Sequence, residues 1–290
     1  MSANNPPKVI LITGTSSGFG MLFSARLAAR GHIVYATMRD LKNKKPLLIE
    51  AAKRNGEVLA RELDVTKPAT IAKVIEEIKS DQGRIDVLVN NAGWGLGGFF
   101  EDLLEEEIRA QMEVNFFGVQ SVCRQVVPLM RQQRQGLIIN MSSVGGQTAT
   151  ACLGAYNASK WALEAFSESL YYELAAFGVK VVLVEPGTYP TKIFKENARY
   201  AKNYDNPDSP YFELSQRLRI FVQAYTRKSK KDPEEVARLV ERIIHTPRPR
   251  LRYVSDFSSK IRMLIGKTIP APVYEYIHRK VIYGRSTNPL

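Results

Sequence analysis

Short apolar runs alternate with longer segments of mixed character along most of the chain. Val9-Ile10-Leu11-Ile12 is the first run, and a glycine-rich turn and an Ala/Leu-rich segment up to Arg30 follow it, in the order strand, loop, helix. The pattern then predicts a strand over His32–Thr37, a helix near Pro46–Arg54, a strand near Val58–Leu63, a helix near Ile71–Lys79 and a strand over Asp86–Val89. One long helix is expected from Glu105 to Arg131, then a strand over Leu137–Met141, a helix from Tyr156 to Phe177 and a strand over Lys180–Val184.

Past Pro186-Gly187 the pattern loosens. Ile193–Phe221 is rich in Tyr, Asn, Asp and Pro, with helical stretches and no strand signal, and residues 192–230 read as a substrate-covering insertion. A helix with acidic residues in its first turn is expected from Asp232-Pro233-Glu234-Glu235 to Ile244, then a seventh strand near Leu251–Val254. The tail, residues 256–290, is expected to form helices broken at Pro270 and Pro272. Strand runs unrelieved by polar alternation are buried on both faces, and their alternation with helices gives a doubly wound α/β fold. The expectation is one Rossmann-type domain over residues 1–290, with a predominantly parallel seven-stranded sheet.

Composition adds limits. At 44% hydrophobic and 24% charged residues the chain is ordinary for a globular protein, and no run of about 20 apolar residues offers a membrane-spanning helix. A strand begins almost at once after Met1–Pro7, so no signal peptide is expected and a cytoplasmic location is. Cys123 and Cys152 stand far apart without a metal-ligand spacing and read as small core residues. His32, His245 and His278 lie far apart in sequence, so no metal site is expected, only solvated or capping histidines.

The net charge of +12 is uneven, with 15 Lys/Arg against 6 Asp/Glu from Arg227 onward. A solvated surface accounts for such a run most simply, and a nucleic-acid partner is not expected. The basic tail also leaves open a peripheral contact with an anionic membrane.

Chemistry concentrates in a few places. Thr13-Gly14-Thr15-Ser16-Ser17-Gly18-Phe19-Gly20 joins the first strand to the first helix, where glycines let the backbone approach a pyrophosphate and free N–H groups at the helix start meet it. Arg39, after the second strand, stands near where an acidic residue would hold an NAD ribose, and its planar fork suits the 2′-phosphate of NADP(H). NAD(H) is the less favoured alternative, kept open by Asp40.

Tyr156 and Lys160 are four apart and share one helix face. A phenol that titrates near ~10 needs ~4 kcal/mol of help to work at neutrality, and an ammonium about 4 Å away at an effective dielectric of ~20 supplies roughly that. Ser143, after the fifth strand, is placed to hold a substrate oxygen at the carboxyl edge of the sheet.

In register these marks resemble the short-chain dehydrogenases/reductases from Val9 to about Thr191. They are Thr13-Gly14 with Gly18 and Gly20, Asp64-Val65, Asn90-Asn91-Ala92-Gly93, Asn115, Ser143, Tyr156 with Lys160, and Pro186-Gly187 with Thr191. The resemblance implies Asp64 and Val65 flanking the adenine, Asn91, Ala92 and Gly93 along the cofactor, and Ser16, Ser17 and Phe19 in the glycine turn. Pro186, Gly187, Thr188 and Thr191 would hold the carboxamide, Lys160 would grip the ribose, and Asn115 would hold a water in a proton relay. It also implies a homo-oligomer, formed through the 105–131 and 156–177 helices.

Ser143-Val144-Gly145-Gly146 and the stretch Ala162–Leu170 look like the hydroxysteroid and retinol dehydrogenase branch. A bulky apolar alcohol or ketone is then the expected substrate, with Trp94, Leu153 and Tyr189 as candidate contacts and Phe99, Phe194, Phe221 and Tyr225 as further lining residues. Trp161 reads as packing. The open alternatives are a 3-ketoacyl or acylated-phosphate carbonyl reductase and a protein that senses NADPH without turnover.

Overall fold

The computed structural model describes residues 6–189, 198–228 and 231–283. Among these, β1 (Val9–Thr13), β2 (Ile33–Met38), β3 (Leu59–Glu62), β4 (Val87–Asn90), β5 (Gly95–Gly97), β6 (Gly136–Met141), β7 (Val179–Glu185), β8 (Ala198–Tyr200) and β9 (Arg252–Val254) form two sheets. The large sheet is parallel throughout, in the order β3-β2-β1-β4-β6-β7-β9, and β5 pairs only with β8. The chain winds outward from β1 to β3, returns to β4 and winds the other way to β9. That reversal opens a crevice beyond the carboxyl ends of β1 and β4.

The two faces of the sheet follow from the period of two along a strand. Ile10, Ile12, Val34, Ala36, Val87, Val89 and Ile139 belong to one buried cluster, while Val9, Leu11, Tyr35, Leu88, Ile138 and Val181 belong to the other. Around them run α1 (Gly18–Ala28), α2 (Lys45–Ala52), α3 (Pro68–Gln82), α4 (Glu105–Met112), α5 (Gly118–Gln133), α6 (Gly154–Ala175), α7 (Phe212–Lys228), α8 (Glu234–His245), α9 (Phe257–Thr268) and α10 (Ala271–Tyr283). α3 shows the local logic. Pro68 opens it, Ile71, Val74, Ile75 and Ile78 bury one stripe, and Gly83 ends it at φ +67°.

Several expectations are corrected. The helix expected over Glu105–Arg131 is interrupted at Glu113–Phe117 by a π turn, in which the Gly118 N–H bonds back to the Glu113 carbonyl. Residues 192–230 do contain a strand, β8, which pairs in parallel with β5. Pro270 separates α9 from α10, but Pro272 lies inside the first turn of α10, where its missing N–H breaks no helical bond. Trp161 is half exposed and lies outside the core. His32 is buried, with its ring 5.4 Å from that of His245. Of the cysteines only Cys123 is buried; Cys152 is partly exposed with φ +66°.

Candidate active site

The glycine turn is shaped by close approach. Gly14 has φ +70°, and a Cβ there would lie 2.6 Å from the Ala92 Cα. Gly20 sits beneath it, where a Cβ would run into the Gly14 carbonyl and the Asn91 amide. Thr13 and Asn91 lock this turn to the loop after β4: Asn91 Nδ2 donates to the Thr13 and Gly14 carbonyls at 2.9 Å, and the Asn91 and Ala92 N–H groups both donate to Thr13 Oγ1 at 3.0 Å. The sequence shows Thr13 only as a letter of the glycine motif, because its role depends on a partner 78 residues away.

A cleft of about 240 Å³ runs over this turn, lined by Gly14, Ser16, Ser17, Gly18, Phe19, Arg39, Asp64, Val65, Asn91, Ala92, Gly93 and Trp94, together with Met38, Leu63, Val114 and Arg199. It brings the opening of α1, whose first N–H groups have no helical acceptor, beside two arginines, Arg39 and Arg199. Glycines that no side chain can replace, free helix N–H groups and cations suit a dinucleotide's phosphates. Asp40 does not line the cleft. Its carboxylate accepts from the Lys42 N–H at 2.8 Å and caps the short turn at Leu41–Lys44.

Next to the cleft is a recess of about 50 Å³ lined by Phe19, Asn91, Gly93, Trp94, Met141, Ser142, Ser143, Tyr156, Lys160, Pro186, Gly187 and Tyr189. Ser143, Tyr156 and Lys160 therefore face one space. Ser143 Oγ accepts from the Gly145 N–H at 3.0 Å, and its hydroxyl hydrogen-bonds that of Tyr156. The Lys160 ammonium lies 5.9 Å from the centre of the Tyr156 ring and donates to the Met141 carbonyl at 2.8 Å.

The electrostatics differ from the simple pair expected from the spacing. Burial raises the Tyr156 phenol above its ordinary value, and the hydrogen bond with Ser143 pulls it back only in part. Burial also lowers Lys160, to about 8, while the nearby Glu164 carboxylate acts upward. Burial thus favours the neutral form of the phenol.

Asn115 lies behind the recess, fully buried in the π turn. Its side chain accepts from the Trp94 N–H at 3.1 Å and donates to the Trp94 carbonyl at 3.0 Å and to Ser159 Oγ at 3.1 Å. Ser159 in turn donates to the Tyr156 carbonyl at 2.7 Å, tying the π turn to the helix that carries the tyrosine. Farther back, Arg252 pairs with Glu164 at 2.9 Å and Glu168 at 2.7 Å and approaches buried Glu185 at 3.6 Å. In the sequence Ser159 is only a letter between Tyr156 and Lys160, and Arg252 carries no signal, since its partners Glu164 and Glu168 lie 88 and 84 residues away.

Other candidates sit at the margins. Tyr189 is fully buried; its hydroxyl meets Ser255 Oγ at 3.1 Å and Glu235 at 3.3 Å, and its ring packs edge-on against Phe19. Thr188 and Leu153 line neither space, and Leu153 forms a bridge with Gly98. Phe99 stacks on Tyr211 with ring centres 4.7 Å apart. Thr191 and Phe194 lie outside the described residues, as do the side chains of Phe221 and Tyr225. Among the described residues no three His, Cys, Asp or Glu side chains gather as a metal site.

Comparison with known proteins agrees with this geometry. The pattern describing the short chain dehydrogenase family matches residues 8–201. A 3-ketodihydrosphingosine reductase of Bacteroides thetaiotaomicron is 44% identical over 207 residues, 70% of this chain and 73% of that one. Human retinol dehydrogenase 8 is 35% identical over 85% of this chain and 80% of its own, and mouse 17-beta-hydroxysteroid dehydrogenase type 1 is 37% identical over 86% and 74%.

Among solved structures, a short-chain dehydrogenase from Streptomyces avermitilis superposes with a TM-score of 0.79 at 33% identity, covering 98% of this chain and all of that one. Two relatives at 26% identity were solved with a nucleotide. A Burkholderia phymatum protein holds NAD (TM-score 0.78, covering 98% of each chain), and a metagenomic oxidoreductase holds NADP (TM-score 0.67, covering 85% of this chain and 96% of that one). The chain belongs to the short-chain dehydrogenases, in the branch that includes hydroxysteroid and retinol dehydrogenases.

Proposed function

We propose that this oxidoreductase uses NADP(H) and reduces a bulky apolar ketone or aldehyde to its alcohol. The observation that carries the reading is the convergence of Ser143, Tyr156 and Lys160 on one recess that opens beside the glycine cleft. The nicotinamide, when bound, supplies the hydride. Ser143 holds the carbonyl oxygen through a hydroxyl oriented by the Gly145 N–H. Tyr156 gives that oxygen its phenolic proton. Lys160, kept at the recess by the Met141 carbonyl, stabilises the phenolate left behind and grips the ribose. Asn115 and Ser159 position the tyrosine from behind.

Arg39 on the cleft wall, with Asp40 turned away to cap its own turn, supports NADP(H) over NAD(H). The apolar class of substrate is supported by Phe19, Trp94 and Met141 around the recess. The relatives named for 3-ketodihydrosphingosine, retinol and a 17-beta-hydroxysteroid support it too, since each name denotes a largely hydrocarbon molecule. Replacing Tyr156 by Phe is expected to leave the NADPH dissociation constant within about twofold and to cut turnover of an apolar ketone by ~100-fold to ~10,000-fold. Near-normal turnover would overturn the mechanism.

A further inference from the structure

α9 and α10 form a helical hairpin with an apolar outer face. On α9 the exposed Phe257, Ile261, Leu264 and Ile265 recur at i, i+4, i+7 and i+8, an arc of about 100°. On α10 Val273, Tyr276, Ile277 and Tyr283 make a similar exposed stripe. Phe257 is 76%, Leu264 63% and Tyr276 57% exposed.

The opposite face holds the hairpin together and to the body. Ser259 and Met263 are buried, and Gly266 lies so close to Tyr274 that a Cβ would sit 3.1 Å from its ring. Single exposed apolar side chains are normal on a protein surface, but eight in helical register on one hairpin are not.

Charge says what covers this face. Residues 257–283 carry five Lys/Arg against one Glu. By helical position, exposed Lys260 borders the apolar arc of α9. Exposed Lys280 sits within that of α10, its ammonium 4.5 Å above the Tyr276 ring centre. Apolar side chains with cations at their border match an anionic lipid surface, where the chains enter the acyl boundary and the ammonium groups reach phosphates. No helix among the described residues is long and apolar enough to cross a membrane, so the match is to an in-plane hairpin.

We infer that the α9–α10 hairpin docks the protein on the headgroup layer of an anionic bilayer. Its root touches the recess. Asp256 accepts from the Ser259 N–H to cap α9 and pairs with Lys231 at 2.7 Å, and a Cβ on Gly187, a wall of the recess, would lie 2.6 Å from the Asp256 carboxylate. A docked hairpin therefore holds that wall close to the lipid. Delivery of an apolar substrate from the bilayer rests on the function proposed above, whereas the docking does not.

The test is co-sedimentation of the full chain, without cofactor or substrate, with vesicles of phosphatidylcholine alone or with phosphatidylserine. The expected result is binding to the phosphatidylserine vesicles that weakens as salt rises and is at least ~10-fold weaker on phosphatidylcholine alone. Leu264→Glu with Ile265→Glu should abolish it, and Lys260→Gln with Lys280→Gln should weaken it about fivefold per charge. These positions are exposed, so the variants should keep the wild-type melting temperature.

Wild-type protein that stays in the supernatant, or an L264E/I265E variant that sediments like wild type, would overturn the inference. So would a wild-type dimer that the same variant splits while vesicles bind neither, since the face would then join two copies. Tyr156→Phe should sediment as wild type, which separates failure of the docking from failure of the enzymatic reading.

Discussion

The cleft over the glycine turn and the surroundings of the Tyr156 recess are assembled from different kinds of chain. The cleft is walled by the ends of β1, β2, β3 and β4 and by loops pinned through Thr13 and Asn91, and its shape is set before any ligand arrives. The recess shares one firm wall, β6 and α6, but its other side comes from the segment beyond Pro186, and it encloses about 50 Å³ against about 240 Å³ in the cleft. Ligand pockets usually start at ~300 Å³, so the recess is smaller than the bulky substrate proposed above requires. One half of the site is open and pinned by hydrogen bonds; the other is narrow.

The sharpest way to break the rigid half is Gly14→Ala. The new Cβ would stand 2.6 Å from the Ala92 Cα at a residue whose φ is +70°. Neither the turn nor the loop after β4 has a flexible side chain to move aside. The expected outcome is a loss of stability of ~3 kcal/mol or more together with loss of measurable cofactor binding, read by denaturant unfolding and by NADPH fluorescence. An unchanged unfolding midpoint would mean that the turn is not the fixed element described.

The same contrast governs what could be read from the sequence. Five strands of the main sheet, β1, β2, β4, β6 and β7, were legible because each is a short, largely apolar and almost wholly buried run, whereas the edge strands β3 and β9 are partly exposed and carry Arg61, Glu62 and Arg252; the marks from Gly14 to Lys160 stand in the order that a dinucleotide fold requires. The π turn at Glu113–Phe117 was not, since one widened turn barely disturbs a 3.6-residue pattern over so long a helix. β5 and β8 are three residues each, and one of them is Gly-Leu-Gly, too short and too poor in side chains to show a strand period. The bonds that hold the tyrosine in place, Asn115 to Ser159 and Arg252 to Glu164, span 44 and 88 residues and arise only when the sheet closes.

Nucleotide choice comes next in size. Arg39 lines the cleft, and Asp40 is engaged by its own turn. Arg39→Asp should shift the ratio of kcat/KM for NADPH over NADH by about a hundredfold toward NADH, the worth of a charge-assisted contact replaced by repulsion. An unchanged ratio would assign the preference to another residue.

The buried ammonium makes a smaller, signed prediction. Lys160 titrates at about 8 in the folded chain against 10.5 for a free lysine. Between those values the unfolded chain holds a proton that the folded one has released, so this group adds stability as pH rises. From pH ~8 to ~10 the wild type should gain about 2 kcal/mol relative to Lys160→Met, measured by urea unfolding at each pH without cofactor. A constant difference would show that the ammonium is better solvated than its burial implies.

The smallest effect probes the seam between the two halves. Arg199, on β8, lies over the Trp94 ring with its guanidinium 4.7 Å from the ring centre, and both side chains line the cofactor cleft. Through it the segment beyond β7 is laid against the rigid half, alongside the β5–β8 ladder. An exposed cation–π contact is worth ~0.5–1 kcal/mol, and the same charge lines the cleft proposed to hold NADP(H). Arg199→Ala should therefore raise KM for NADPH about threefold and leave kcat for a small ketone unchanged. Arg199→Lys, which keeps the charge but loses the planar stack, should recover part of that loss. If kcat fell as well, β8 would be part of the chemistry rather than of the closure over it.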